Sequence, residues 1–176
     1  MVKYLLISGL IAIALFGCKK AQDRTCFKSM GDEAVRDTFV SSFDTLELFD
    51  DIEYYIVPDT VWKVRIEGGE NLLKHVEVTN KNAKLTVKNG NKCNFLRKLN
   101  EKIKVYIHGT DINYIHYEGG EKLFSMDTLY ASELRLFIRD GVGDVDLTVN
   151  NGYMSAVISH GWGNFVLRGQ TLSAYL

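Results

Sequence analysis

From Leu134 to Leu167 the chain repeats one alternation of apolar and polar residues at a spacing of twenty. Leu134, Leu136 and Ile138 return as Met154, Ala156 and Ile158, and Val145 and Leu147 return as Phe165 and Leu167. Ala174 and Leu176 open a further copy. Glu133, Arg135 and Arg139 separate the apolar positions, so the period is two, as in strands, where successive side chains face opposite ways. Phe137 and Val157 fall on the polar side and predict some apolar area outside. Gly141 and Gly143, repeated as Gly161 and Gly163, predict a corner in which glycine takes a positive φ. Asn150-Asn151-Gly152 predicts a polar turn. Strand, corner, strand and turn make one coil of a parallel β-solenoid, whose coils must stack because none buries its apolar face alone. The competing arrangement is an antiparallel meander with hairpins of matched length.

A worn copy precedes these two: Glu118-Gly119-Gly120-Glu121-Lys122-Leu123 matches Asp140 to Val145 at an offset of twenty-two. Its apolar residues Ile112, Ile115 and Tyr117 keep no single parity, so about three coils are visible. Upstream, Phe43, Leu46 and Leu48 begin the domain. Residues 53–57 and 61–67, joined through Pro58-Asp59-Thr60, predict one hairpin. A single helical turn is expected near Asn71. Residues 75–79 and 83–88 predict a second hairpin, with Val76, Val78, Leu85 and Val87 inward. Ile103, Val105 and Ile107 form the strand leading into the coils. The predicted fold is all-β, with N-terminal β-hairpins starting the stack.

Lys3 precedes an apolar run from Tyr4 to Phe16 that ends in Gly17-Cys18. That is a secretory signal, too short for a span of about 20 apolar residues, and it resembles a bacterial lipoprotein signal. Residues 1–17 are then removed and Cys18 is lipidated, anchoring the protein in the membrane; a soluble secreted protein cut elsewhere is the alternative. Residues 18–38 are polar and pattern-free and predict a tether, followed by one domain over 39–176. The formal charge of −1 for the whole chain becomes about −2 once Lys3 is lost, so no basic face is announced for nucleic acid. Cys26 and Cys93 remain in an oxidising compartment, where an even pair closes as a disulfide worth about 4 kcal/mol; two free thiols are the other state. No histidine stands at ligand spacing from them, so no metal is expected.

One order of short motifs resembles a known family. After the lipidation cysteine come Phe43-Asp-Thr-Leu-Glu-Leu, Tyr55-Ile-Val-Pro-Asp, Val64-Arg-Ile-Glu and Gly69-Glu-Asn-Leu-Leu. Ala83-Lys-Leu-Thr-Val, Lys104-Val-Tyr-Ile and Gly143-Asp-Val-Asp-Leu follow. The order is similar to that of the auto-transporter adhesin, head GIN domain family of Bacteroidota lipoproteins, over about residues 39–170. The resemblance implies a right-handed parallel β-helix and a lipid-anchored place in the cell envelope, at the outer membrane rather than the inner. It supplies no catalytic residues. Family members run on for further coils, whereas this chain stops at Leu176 in mid-repeat, so the domain reads as incomplete at its C-terminus. An open solenoid edge there would favour self-association.

The residues support little chemistry of their own. Glu118, Asp140 and His160 each precede a glycine, so one column stacks two acids and a histidine that could meet a cation or a sugar hydroxyl, or form a solvated corner. Trp162, with Tyr153 and Tyr117, would offer a stacking platform for a glycan. No catalytic triad, phosphate loop or carboxylate pair is present, and no cofactor is implied. The sequence therefore predicts a non-enzymatic envelope lipoprotein that binds a protein or glycan. Its alternatives are a carbohydrate-active β-helix enzyme using that column, and a structural piece that self-associates.

Overall fold

The computed structural model describes residues 29–91 and 102–175. Alternating apolar residues build twelve strands: β1 (Glu33–Phe39), β2 (Thr45–Asp50), β3 (Ile52–Pro58), β4 (Lys63–Gly69), β5 (Val76–Lys81) and β6 (Lys84–Asn89). After them come β7 (Ile103–Gly109), β8 (Tyr114–Gly119), β9 (Leu123–Ser125), β10 (Leu129–Arg139), β11 (Val145–Ser159) and β12 (Phe165–Tyr175). One helical turn, α1 (Glu70–Leu73), lies between β4 and β5. All the strands belong to one curled, half-barrel sheet of mixed direction, in the order β1-β4-β7-β3-β9-β11-β10-β8-β2-β6-β5, with β12 on β11.

The repeat of twenty sets the register of the C-terminal part. Leu134, Leu136 and Ile138 pair in parallel with Met154, Ala156 and Ile158. Val145 and Leu147 pair with Phe165 and Leu167, and Met154 with Ala174. Identical spacing lets each aliphatic position cover its copy in the next coil, which an antiparallel meander would not do. The sheet as a whole is nevertheless not a simple parallel β-helix, because β1/β4, β4/β7 and β5/β6 are antiparallel.

The structure departs from the sequence reading in four places. The strands predicted as a first hairpin, β3 and β4, do not pair; β7 lies between them, parallel to β3 and antiparallel to β4. Alternation states which face turns inward and says nothing about which strand lies next door. The second hairpin, β5/β6, forms as expected. Part of the predicted tether is strand, since β1 pairs with β4 along Glu33–Phe39. Asn150-Asn151-Gly152 is no turn but part of the continuous β11. The buried parity there runs Val145, Leu147, Val149, Asn151 and then shifts to Met154, so the strand bends while its ladder to β10 and β12 continues. The worn copy holds two registers: β10 sits twenty-one residues from β8, yet Val145 sits twenty-two from Leu123. The β8–β9 corner is one residue shorter than the next.

Two wings of the curled sheet close on one core. Ile52, Tyr54, Ile56, Leu123, Val145 and Leu147 come from one wing, and Leu46, Leu48, Ile115, Tyr117, Leu136 and Ile138 from the other, all in a single buried cluster. Tyr54 and Tyr117 meet edge to face between the wings, ring centroids 6.4 Å apart. Cys18, Cys26, Cys93 and Leu176 lie outside the described residues.

Candidate ligand surface

The glycine corners work differently from the sequence reading. Positive φ falls on Asp140 (52°) and His160 (57°), and on Asp50 (65°) at the β2–β3 corner, not on Gly141, Gly143, Gly161 or Gly163. The glycines are needed for close approach instead. A Cβ on Gly143 would run into the carbonyl oxygen of Glu121, and one on Gly163 would sit 2.7 Å from the carbonyl oxygen of Gly143. Backbone lies on backbone from coil to coil, and Trp162 N–H donates to the Gly141 carbonyl at 2.9 Å. Asp144 Oδ1 ties the corners together by accepting from the backbone N–H of Asn164 at 2.9 Å and from its Nδ2 at 3.2 Å. Asp144 and Asn164 are equivalent positions one repeat of twenty apart, a spacing visible in the sequence.

The predicted column is only partly assembled. Asp140 and His160 occupy equivalent left-handed corner positions, but Glu118 does not join them. Ile138 pairs with Tyr117, so by continuation of that register Arg139 stands opposite Glu118, and the place below Asp140 belongs to Gly119. Glu118 instead lies 2.9 Å from the His116 Nε2, too poorly aligned for a hydrogen bond. Asp140 approaches Arg139 at 3.5 Å, and His160 Nδ1 lies 3.1 Å from Ser159 Oγ. Among the described residues no group of three histidines, cysteines or acids is placed to hold a metal. The aromatic platform is dispersed too. Tyr117 is fully buried, Trp162 is 81% exposed at the corner, and Tyr153 lies in the middle of the preceding strand.

Other rows of side chains do come together. Tyr106, Tyr55 and Phe124 stack across β7, β3 and β9, with centroids 4.7 and 5.8 Å apart. Hydrogen-bonded as a donor to Glu53 at 3.0 Å, the Tyr55 phenol is pushed up to about 12, chiefly by burial and then by that carboxylate. On the other wing Phe49, His116 and Phe137 form a second ring row, with Lys88 Nζ 4.6 Å over Phe49. Glu47 accepts from Lys84 Nζ at 2.8 Å and from Thr86 Oγ1 at 3.0 Å, and the lysine bond first of all holds its carboxyl below the usual range. Lys102 Nζ bridges Glu121 at 2.6 Å and Glu53 at 3.5 Å beside a cavity of about 1080 Å³, so its charge is already committed.

At the bend of the long strands a different lining appears. Ala131, Asn150, Asn151, Gly152, Gln170 and Thr171 surround a cleft of about 550 Å³ with no charged side chain in its wall. Tyr130 pairs in register with Asn150, and Asn150 with Gln170, so the three project side by side from β10, β11 and β12. Tyr130 is 64% exposed.

What these elements define is an all-β repeat protein whose parallel coils line up like positions into straight surface rows. The family model "Putative auto-transporter adhesin, head GIN domain" matches residues 42–175, and the chain belongs to that family. The fold is similar to that of a putative adhesin from Bacteroides fragilis NCTC 9343, with a TM-score of 0.73 and 22% identity. That match covers 81% of this chain and 65% of the other. It is also similar to a putative lipid binding protein from Parabacteroides distasonis ATCC 8503, with a TM-score of 0.66, 15% identity, and 80% and 60% of the two chains covered. A putative adhesin from the same Parabacteroides strain follows at a TM-score of 0.56 and 14% identity, covering 80% and 67%. The chain thus spans less than two thirds of the first two relatives. No curated protein matches it.

Proposed function

We propose that this chain is a non-enzymatic binding module of the cell envelope, held at the membrane by lipid on Cys18, most simply in the outer membrane. Its curled sheet offers a protein or a glycan the rows on its outer surface. The observation that carries the reading is the in-register ladder of β10, β11 and β12, which repeats one exposed position strand after strand. Repeated rows suit an extended partner better than a reaction centre, and the adhesin family of the chain agrees with that use. We read the C-terminal coils as turns of a right-handed parallel β-helix, and Cys26 and Cys93 as a disulfide that ties the leader to the domain.

Fractionation and flow-cell retention of cells carrying the native protein or Cys18→Ala test the proposal. The native protein should partition with membranes and retain cells on glycan- or protein-coated surfaces, and the variant should lose both. Equal partition and equal retention would overturn it.

A further inference from the structure

We propose that the cleft at the bend of β10–β12, with Tyr130 beside it, binds a neutral saccharide chain; this rests on the reading of the chain as a binding module. Among the described residues Asn151 is the one polar residue in the buried set, 7% exposed, and it lines this cleft. Its Nδ2 reaches only Met154 Sδ at 3.8 Å, a weak acceptor, and its Oδ1 has no partner among the described residues. Buried polar atoms are nearly always paired, so this amide oxygen, closed to solvent beneath the cleft, is an unmet demand that a ligand's donor would satisfy as the bend opens around it. Leu147 or Val149 would fill such a strand position without that demand, and both stand nearby in the same strand.

The rest of the wall selects the class of donor. Asn150 and Gln170 are exposed and make no side-chain hydrogen bond among the described residues, so each amide presents two donors and an acceptor. Thr171 Oγ1 donates to the Ser173 carbonyl at 2.9 Å and keeps its lone pairs. Sugar hydroxyls, which donate and accept at once, match amides and hydroxyls of this kind. Phosphate or carboxylate ligands would call for arginine or lysine, and none lines the cleft. Tyr130 supplies a flat apolar face with a polar tip for the C–H side of a sugar ring. From Tyr130 to Gln170 is two strand steps, about 10 Å, so a short oligosaccharide fits the row better than one ring. Thr110 and Asp111 line a second pocket with Tyr130 and add acceptors for hydroxyls there.

The test is the full chain on an array of neutral and acidic oligosaccharides, with calorimetry on those that bind. Neutral oligosaccharides should bind, and Tyr130→Ala and Gln170→Ala should each weaken them by about tenfold or more. Trp162→Ala, at the opposite corner, should leave the affinity unchanged. Asn151→Ala should abolish binding; if it fails to fold, the two exposed substitutions still decide. Absence of neutral saccharide binding, or affinity indifferent to Tyr130 and Gln170, overturns the proposal. Binding of an acidic glycan or a protein that ignores both substitutions removes this site and leaves the binding module standing, whereas equal retention of the Cys18→Ala strain removes the module itself.

Discussion

A histidine at φ 57° and an aspartate at φ 52° hold the corners of successive coils. For a side chain with a Cβ that conformation costs of order 1 kcal/mol or more, and asparagine or aspartate bear it best. The demand at 140 and 160 is therefore on the backbone, and the residue type there carries no chemistry by itself. His160→Gly should raise stability by up to about 1 kcal/mol, the strain relieved being partly offset by the looser unfolded chain. Gly143→Ala should destabilise by about 3 kcal/mol or prevent folding, because the added methyl meets the Glu121 carbonyl from the coil beneath. Denaturant titration of the two variants checks both, and a destabilised His160→Gly beside a tolerated Gly143→Ala would invert the account. The glycine pairs were legible as corners from their spacing. Their true role was not, since a carbonyl twenty-two residues away leaves no local mark.

Along the strands, the value of a given apolar position depends on what lies on either side of it. Leu147 has Leu167 in β12 as its register partner and is fully buried, whereas Leu167, in the last strand, is only partly covered. Leu147→Ala should cost about 3 kcal/mol and Leu167→Ala about half as much, because less apolar contact is lost at the half-covered site. Equal losses in chemical denaturation would mean that the coils do not share one core as described. The same dependence explains which elements were readable. Period-two alternation marked β5, β6 and β7, and the repeat of twenty paired β10, β11 and β12 residue by residue. The β3/β4 hairpin failed because a short connection is compatible with both pairing and separation, and seven matched positions on β7 won over the neighbour in sequence.

Over the whole molecule, the decisive contact is between wings. Tyr54 donates its phenol proton to the Phe49 carbonyl at 2.7 Å, Tyr117 donates to the Glu121 carbonyl, and the two rings meet edge to face. Burial pushes both phenols up, Tyr54 strongly. A phenol whose folded pKa is raised contributes stability that is fully present below the ordinary value near 10 and is lost as pH rises through the folded one. In an ultraviolet titration Tyr55 should therefore ionise only at about 12, and Tyr54 and Tyr117 only as the chain unfolds. Tyr54→Phe or Tyr117→Phe should move alkaline unfolding to higher pH. A single ionisation step near pH 10 with the near-ultraviolet circular dichroism unchanged would contradict a closed core.

Periodicity and repeat spacing, being properties of neighbouring residues, determined by themselves that the chain is all-β, which residues turn inward, and that like positions of successive coils stack in parallel. Resemblance along the same residues identified the family. Only the tertiary structure decided that β7 separates β3 from β4, that one residue fewer in the β8–β9 corner removes Glu118 from the column of Asp140 and His160, and that Asn151 lines a cleft with an unpaired oxygen. Each of these depends on which distant backbone lies alongside, a choice made by packing between wings and invisible to any window along the chain.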